Sequence, residues 1–295
     1  MYKYNTTFLL KNSFWYFAVD AIGKGMLFVL LPVYTSYLSP IDYGIVALCL
    51  TVDSAITIFS SFGIDLFASR LLFRFRDKRE LLGTLLGNIY YTTLLLAFST
   101  SLIVSLFPDL VRKPFFADSE LPTAAIIFFP IWTAFFRKVS HSLFGYQKTC
   151  LMGKQYFKIN LIQLVSLHSM KVIALVFLGY GVVGFLAAEL ITIALVAVVS
   201  GFVLYRMVRP RISFNKMSII RQSFFYGLPS VPSAISGWVT QYIDRIILLK
   251  LMDMWSVGIY TFAVSITSQL FHFVWGPFRS GINPEFFKRL EKKFI

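Results

Sequence analysis

Of 295 residues, 57% are hydrophobic and 18% aromatic, against 14% charged, and the mean hydropathy is +0.71. That balance excludes a water-soluble domain and leaves a multi-span membrane protein. The net charge of +14 would suggest nucleic acid in a soluble chain, but no nucleic-acid partner is expected here, because the basic residues are distributed as a membrane topology.

Hydropathy and helix breakers mark eight spans: 13–34, 45–67, 81–107, 121–136, 159–178, 182–205, 224–250 and 255–278. The first is apolar except for Asp20 and Lys24. Lys3 and Lys11 precede it, but the run is too long for a signal-peptide core and reads as a retained span. Asp20 and Lys24 are four apart and share a helix face. Each would cost roughly 2.5–3.5 kcal/mol at a helix centre on insertion scales, so this face is expected to turn toward protein or a water-filled cavity. Two readings stay open: a self-neutralising i, i+4 pair, or Lys24 meeting an anion in a transport path. Gly23 and Gly25 leave room for a neighbouring helix or a ligand.

The second span contains Asp53, which equal spacing about the Ser39-Pro40 turn places at the depth of Lys24. That carboxylate is expected either to pair with Lys24 or to serve as a protonatable group for ion coupling. Asp65, Arg70, Arg74 and Arg76 follow. The arginines read as ordinary inner-face charge or as an entrance patch for phosphate oxygens, which suit arginine forks. A short Gly179-Tyr180-Gly181 link joins the fifth and sixth spans, and Lys171 and Glu189 each lie nine residues from Tyr180. Antiparallel helices put them at one depth, where they are expected to form a structural ion pair.

With the N-terminus placed in the cytoplasm, 22 of the 28 basic residues fall on inner segments, Arg137 and Lys138 among them, and three on outer ones. This is a strong positive-inside pattern. It puts both termini in the cytoplasm and brings the basic loops against anionic lipid headgroups. Cys49 and Cys150 fall on a span and on a basic loop, so no disulfide is expected. No group has metal-ligand spacing, and neither a metal nor another cofactor is expected.

After the basic stretch 206–221 the chain begins again. Pro229, Pro232 and Gly237 are expected to kink the seventh span, which ends with Gln241, Asp244 and Arg245. Asp244 joins Asp20 and Asp53 as a candidate for ion coupling. The first and seventh spans each end in a short turn leading to a Gly-Ile pair, Gly44-Ile45 and Gly258-Ile259, as a parallel repeat would leave behind. The chain therefore divides into a six-helix N-terminal lobe, 1–206, and a partial C-terminal lobe, 207–295.

The run Leu31-Pro32-Val33-Tyr34-Thr35-Ser36-Tyr37-Leu38-Ser39-Pro40-Ile41-Asp42-Tyr43-Gly44 is similar to the first hairpin of bacterial polysaccharide (O-antigen type) flippases. Tyr226-Gly227-Leu228-Pro229-Ser230-Val231-Pro232, with Asp244-Arg245 and Val257-Gly258-Ile259-Tyr260, resembles the start of that family's second half. The superfamily also holds multidrug and toxin extrusion antiporters and lipid II flippases. The resemblance implies a two-lobed transporter of about 12 to 14 helices, not an enzyme. Such a protein is expected to move an undecaprenyl-pyrophosphate-linked oligosaccharide across the inner membrane by alternating access coupled to an ion gradient. Against that pattern the chain reads as truncated after its eighth helix.

The partners it implies are the lipid-linked oligosaccharide, membrane lipids and the polysaccharide polymerase and chain-length machinery. The residues expected to meet substrate are Lys24, Arg70, Arg74 and Arg245. A multidrug or cation antiporter and a lipid II flippase stay open as alternatives. A polytopic membrane enzyme of polysaccharide assembly is the rival from another class. Span-interior charges number three basic, Lys24, Lys171 and Arg245, against four acidic, Asp20, Asp53, Glu189 and Asp244, so an anion cavity does not follow from the count.

Overall fold

The first helix, α1 (Thr6–Tyr37), forms because its 32 residues contain no glycine pair or proline before Pro32 that breaks the ladder. Beyond Pro32 the hydroxyls of Thr35 and Ser36 donate to the Pro32 carbonyl, at 3.0 and 2.8 Å. Ser39 then stops α1 and starts α2 (Pro40–Ser61): its Oγ accepts from the Asp42 N–H, the Asp42 carboxylate accepts from the Ser39 N–H, and Pro40 occupies the first helical position. The computed structural model describes residues 6–75, 79–116, 123–211, 218–268 and 271, and the regular structure in them is entirely helical.

The second span was expected to run to 67. Instead α2 ends at Phe62, whose φ of 43° and that of Gly63 at 72° turn the chain. Residues beyond the turn form α3 (Ile64–Phe75), an amphipathic helix that takes Asp65 out of the span and carries Arg70. Then come α4 (Arg79–Leu106), the short α5 (Asp109–Phe116) and α6 (Thr123–Thr149). α7 (Gly153–Val172) is prolonged by a π-helical turn, Ile173–Phe177. Gly179 and Gly181, both at positive φ, make the tight link to α8 (Gly181–Val208). α9 (Ser218–Gly227) passes through one 3₁₀ turn, Leu228–Ser230, into α10 (Val231–Leu251). The helix at 254–268 is α11.

Five of these elements are long and apolar enough to cross a membrane: α1, α2, α4, α7 with its π turn, and α8. This is an all-α membrane protein. The expected fourth span corresponds to α6, but that helix does not stop at 136: it continues through Arg137, Lys138 and His141 to Thr149. The prolines expected to kink the seventh span produce only the 3₁₀ turn, and α10 runs through Gly237 unbroken. Of the eighth span, 269–278 lies outside the described residues apart from Phe271.

α6 occupies the middle, packed along α8, α2 and α4, while α1 leans on α7. Two ends can be distinguished. The turn end carries Ser39, the Gly179–Gly181 link and Met252; the basic end carries Gly63, Arg209 and Gly227. Ile45, Leu48, Val52, Phe116, Ile127 and Ile131 form the core near the turn end. Leu72, Leu86, Leu143 and Leu204 form one near the basic end. Polar side chains lie between them: on α6, Arg137 comes after Ile131 and before Leu143, and on α8, Glu189 comes after Leu186 and before Leu204.

Candidate functional site

The polar layer is a four-residue chain of charge across four helices. Lys171 on α7 meets Glu189 on α8 at 2.8 Å. The other Glu189 oxygen meets Arg137 on α6 at 2.8 Å, and Arg137 meets Asp53 on α2 at 3.2 Å. Lys171 also lies over the Phe185 ring, 3.9 Å from its centroid, where the ring face attracts the ammonium. Beside the layer, the Tyr34 hydroxyl and His168 Nδ1 share a 2.7 Å hydrogen bond that joins α1 to α7.

Asp53 is thus paired with Arg137, and the expected Lys24–Asp53 pairing does not occur. Placing Arg137 on an inner loop was the error behind that expectation. Hydropathy falls at the Arg137-Lys138 pair, yet no helix breaker stands there, and the backbone carries on. With Arg137 inside, the interior charges balance at four against four. The same extension brings Lys138 to the Asp65 carboxylate on α3. The charge imbalance in the spans was the one signal that could have located the missing cation.

The remaining expected residues separate. Asp20 is exposed and Lys24 half-buried on α1, and among the described residues neither is in an ion pair. A methyl at Gly23 would lie 2.8 Å from the Leu164 Cδ1 of α7, whereas one at Gly25 meets nothing within 4 Å. Arg70 is exposed and stacks over Tyr226 of α9 at 5.2 Å. Arg74 lies on α3, with its side chain outside the described residues. Asp244 accepts from the Tyr260 hydroxyl of α11. Arg245 is 8% exposed, stacks on Tyr242 at 4.9 Å, and its Nε and Nη1 have no hydrogen-bond partner.

Arg245 lies on α10, which meets α2 along a seam that α11 continues. Midway, Trp238 Nε1 donates to the Thr51 carbonyl and the Ser54 hydroxyl, both at 3.1 Å. Tyr242, one turn on, comes within electrostatic range of Arg137. At the basic end, Gly63 abuts the Gly227 carbonyl, leaving 2.4 Å for an added methyl. At the turn end the contact is reciprocal. A methyl at Gly44 would lie 2.4 Å from the Met254 carbonyl oxygen, and one at Gly258 would lie 1.7 Å from that of Pro40.

Gly44 and Gly258 are 214 positions apart, as are Pro40 and Met254, so the two contacts exchange equivalent positions, the mark of a two-fold-related interface. The helix caps correspond as well. Ser39 caps α2 through Asp42, and Asp253, 214 positions on, accepts at 2.8 Å from the Ser256 N–H to cap α11. That hydrogen bonding holds the Asp253 carboxyl below its ordinary pKa.

Breaking the charge layer at one residue should leave an uncompensated buried charge. Lys171→Met should cost about 3 kcal/mol, near the low end for buried pairs because Glu189 keeps Arg137. Adding Glu189→Gln should return most of the loss, as read by thermal unfolding in detergent. Equal losses in the single and double variants would show that the two side chains are not coupled.

A sequence model described as "Polysaccharide biosynthesis protein" matches residues 9–288. No curated protein and no solved structure matches the chain.

Proposed function

Because the chain belongs to the polysaccharide biosynthesis protein family, we propose that it is a transporter, not an enzyme, flipping undecaprenyl-pyrophosphate-linked oligosaccharide across the bacterial inner membrane. The basic end then faces the cytoplasm, and the helices move by alternating access about the α2–α10 seam, with Asp244 as the candidate for the coupling ion, since Arg137 holds Asp53.

The observation that carries this reading is Arg245. A guanidinium that is 8% exposed, with Nε and Nη1 unpartnered, is costly to hold inside a membrane bundle. The cost is understandable if it meets an anion in another state of the cycle, and a pyrophosphate supplies oxygens that a guanidinium fork fits. Lys24, half-buried on α1 and in no ion pair among the described residues, is a second candidate contact for the same anion. A cation antiporter fits less well, since Arg137 and Lys171 already occupy the Asp53 and Glu189 carboxylates that a cation would use.

Deleting the gene should make lipid-linked oligosaccharide accumulate and reduce surface glycan. Re-expressed Arg245→Ala should leave that defect in place at normal protein abundance, while Arg245→Lys should restore part of the glycan, because charge survives and the fork does not. Unchanged surface glycan and lipid-linked sugar in the deletion strain would remove the proposal.

A further inference from the structure

A cavity of about 380 Å³ lies on the basic-end side of the charge layer, among α3, α4, α6, α7 and α8. None of its lining comes from α1, α2, α10 or α11, so it is separate from the seam and shares only Arg137 with the charge layer. Its size falls toward the lower end for ligand pockets, roughly 300–1,000 Å³.

Its charges reduce to one. Asp65 contributes the single lining carboxylate, and Lys138 neutralises it. Arg137 is held by Asp53 and Glu189. Lys148, exposed and stacked over the Tyr156 ring at 5.0 Å, has no acidic partner among the described residues. The remaining polar wall includes Tyr90, Tyr146 and Tyr156, the imidazole of His141 and the amides of Asn160 and Gln163. Asn160 braces Tyr156 through a 2.9 Å hydrogen bond to its carbonyl. The Gln163 Oε1 and Arg137 Nε atoms are buried with no partner.

These groups select among ligand chemistries. A hydrocarbon would leave the Gln163 oxygen and its neighbours unsatisfied in a dry pocket. A small inorganic anion would satisfy Lys148 and accept from the hydroxyls and amides, but it has no apolar face to lie against the tyrosine rings. A sugar ring offers hydroxyls that donate and accept, as amides do, and C–H faces that lie against tyrosine rings. A carboxylate on that ring would complete a charge-assisted hydrogen bond with Lys148.

We propose that this cavity is a sugar-binding subsite that favours an acidic sugar, reading one unit of the glycan at the basic mouth of the protein. The proposal rests on the transporter reading for its biological substrate, but the subsite itself is testable without transport.

Purified protein in nanodiscs is titrated with glucuronate, glucose and inorganic phosphate, with binding followed by saturation-transfer NMR. Glucuronate should bind about tenfold more tightly than glucose, the worth of one charge-assisted hydrogen bond, and phosphate more weakly than either. Lys148→Gln, at an exposed position that leaves the fold alone, should bring the two sugars within about twofold of each other. Gln163→Leu, in protein whose thermal unfolding is unchanged, should weaken both sugars together. Phosphate binding as tightly as glucuronate would reduce the cavity to a charge site and overturn the proposal. So would an absence of sugar binding, or sugar binding that Lys148→Gln leaves unaltered. Sugar binding with normal surface glycan in the deletion strain would keep the subsite and discard the transporter, so the two failures are distinguishable.

Discussion

Arg137→Leu should destabilise the protein by about 3–5 kcal/mol, the range for breaking a buried ion pair by removing one partner. Removing this guanidinium leaves Asp53 and Glu189 in the interior with Lys171 alone, two acids for one base, across α2, α6, α7 and α8. Against a total stability of about 5–15 kcal/mol, that loss should show as a large drop in thermal unfolding temperature and in the yield of folded protein. Adding Asp53→Asn should recover most of it, because Glu189 and Lys171 then balance. Asp53→Asn alone should cost less than Arg137→Leu, since Arg137 keeps Glu189. If Arg137→Leu unfolds at the same temperature as the parent protein, the charge layer contributes nothing to the fold.

The second large effect belongs to the reciprocal glycine contact at the turn end. An alanine methyl at Gly258 would stand 1.7 Å from the Pro40 carbonyl oxygen and 2.7 Å from its carbon. Both atoms are backbone, so no rotamer change relieves the clash. α2 and α11 have to part, and Gly258→Ala should cost at least the roughly 1–3 kcal/mol of ordinary overpacking. Gly44→Ala, 2.4 Å from the Met254 carbonyl, should act in the same direction and less strongly. Gly237→Ala on α10 is the control: it meets nothing within 4 Å, and replacing a helix-interior glycine should gain about 0.5–1 kcal/mol. A Gly258→Ala protein as stable as Gly237→Ala would mean that the two helices do not meet there. If the seam must also close during transport, Gly258→Ala should reduce surface glycan beyond what its abundance explains.

Some of this architecture follows from local chemistry alone. An apolar composition interrupted by single charges makes a bundle of membrane helices, because a buried backbone in lipid has to satisfy its own hydrogen bonds. The Ser39-Pro40-Ile41-Asp42 cap and the Gly179-Tyr180-Gly181 link are set by side-chain hydrogen bonds and positive φ within a few residues. Such short turns also fix the depth of what flanks them, which is why Lys171 and Glu189 lie level across the α7–α8 hairpin. The Gly-Ile pairs at 44 and 258 were visible as a faint repeat, although nothing local says that the two glycines touch.

What needed the tertiary structure is every pairing between helices that no short turn connects. The Ser39-Pro40 turn fixes depth but not azimuth, so it could suggest Lys24 for Asp53 while α1 in fact leans toward α7 and leaves α2 to α6. Arg137 was hidden because hydropathy marks where a chain becomes polar, not where its helix ends. A charge past the last apolar residue looks like a loop unless its partners are known. Those partners, Asp53 and Glu189, lie 84 and 52 positions away in the chain, and only the packing of α2, α6 and α8 brings three charged side chains to one point where each makes the others tolerable.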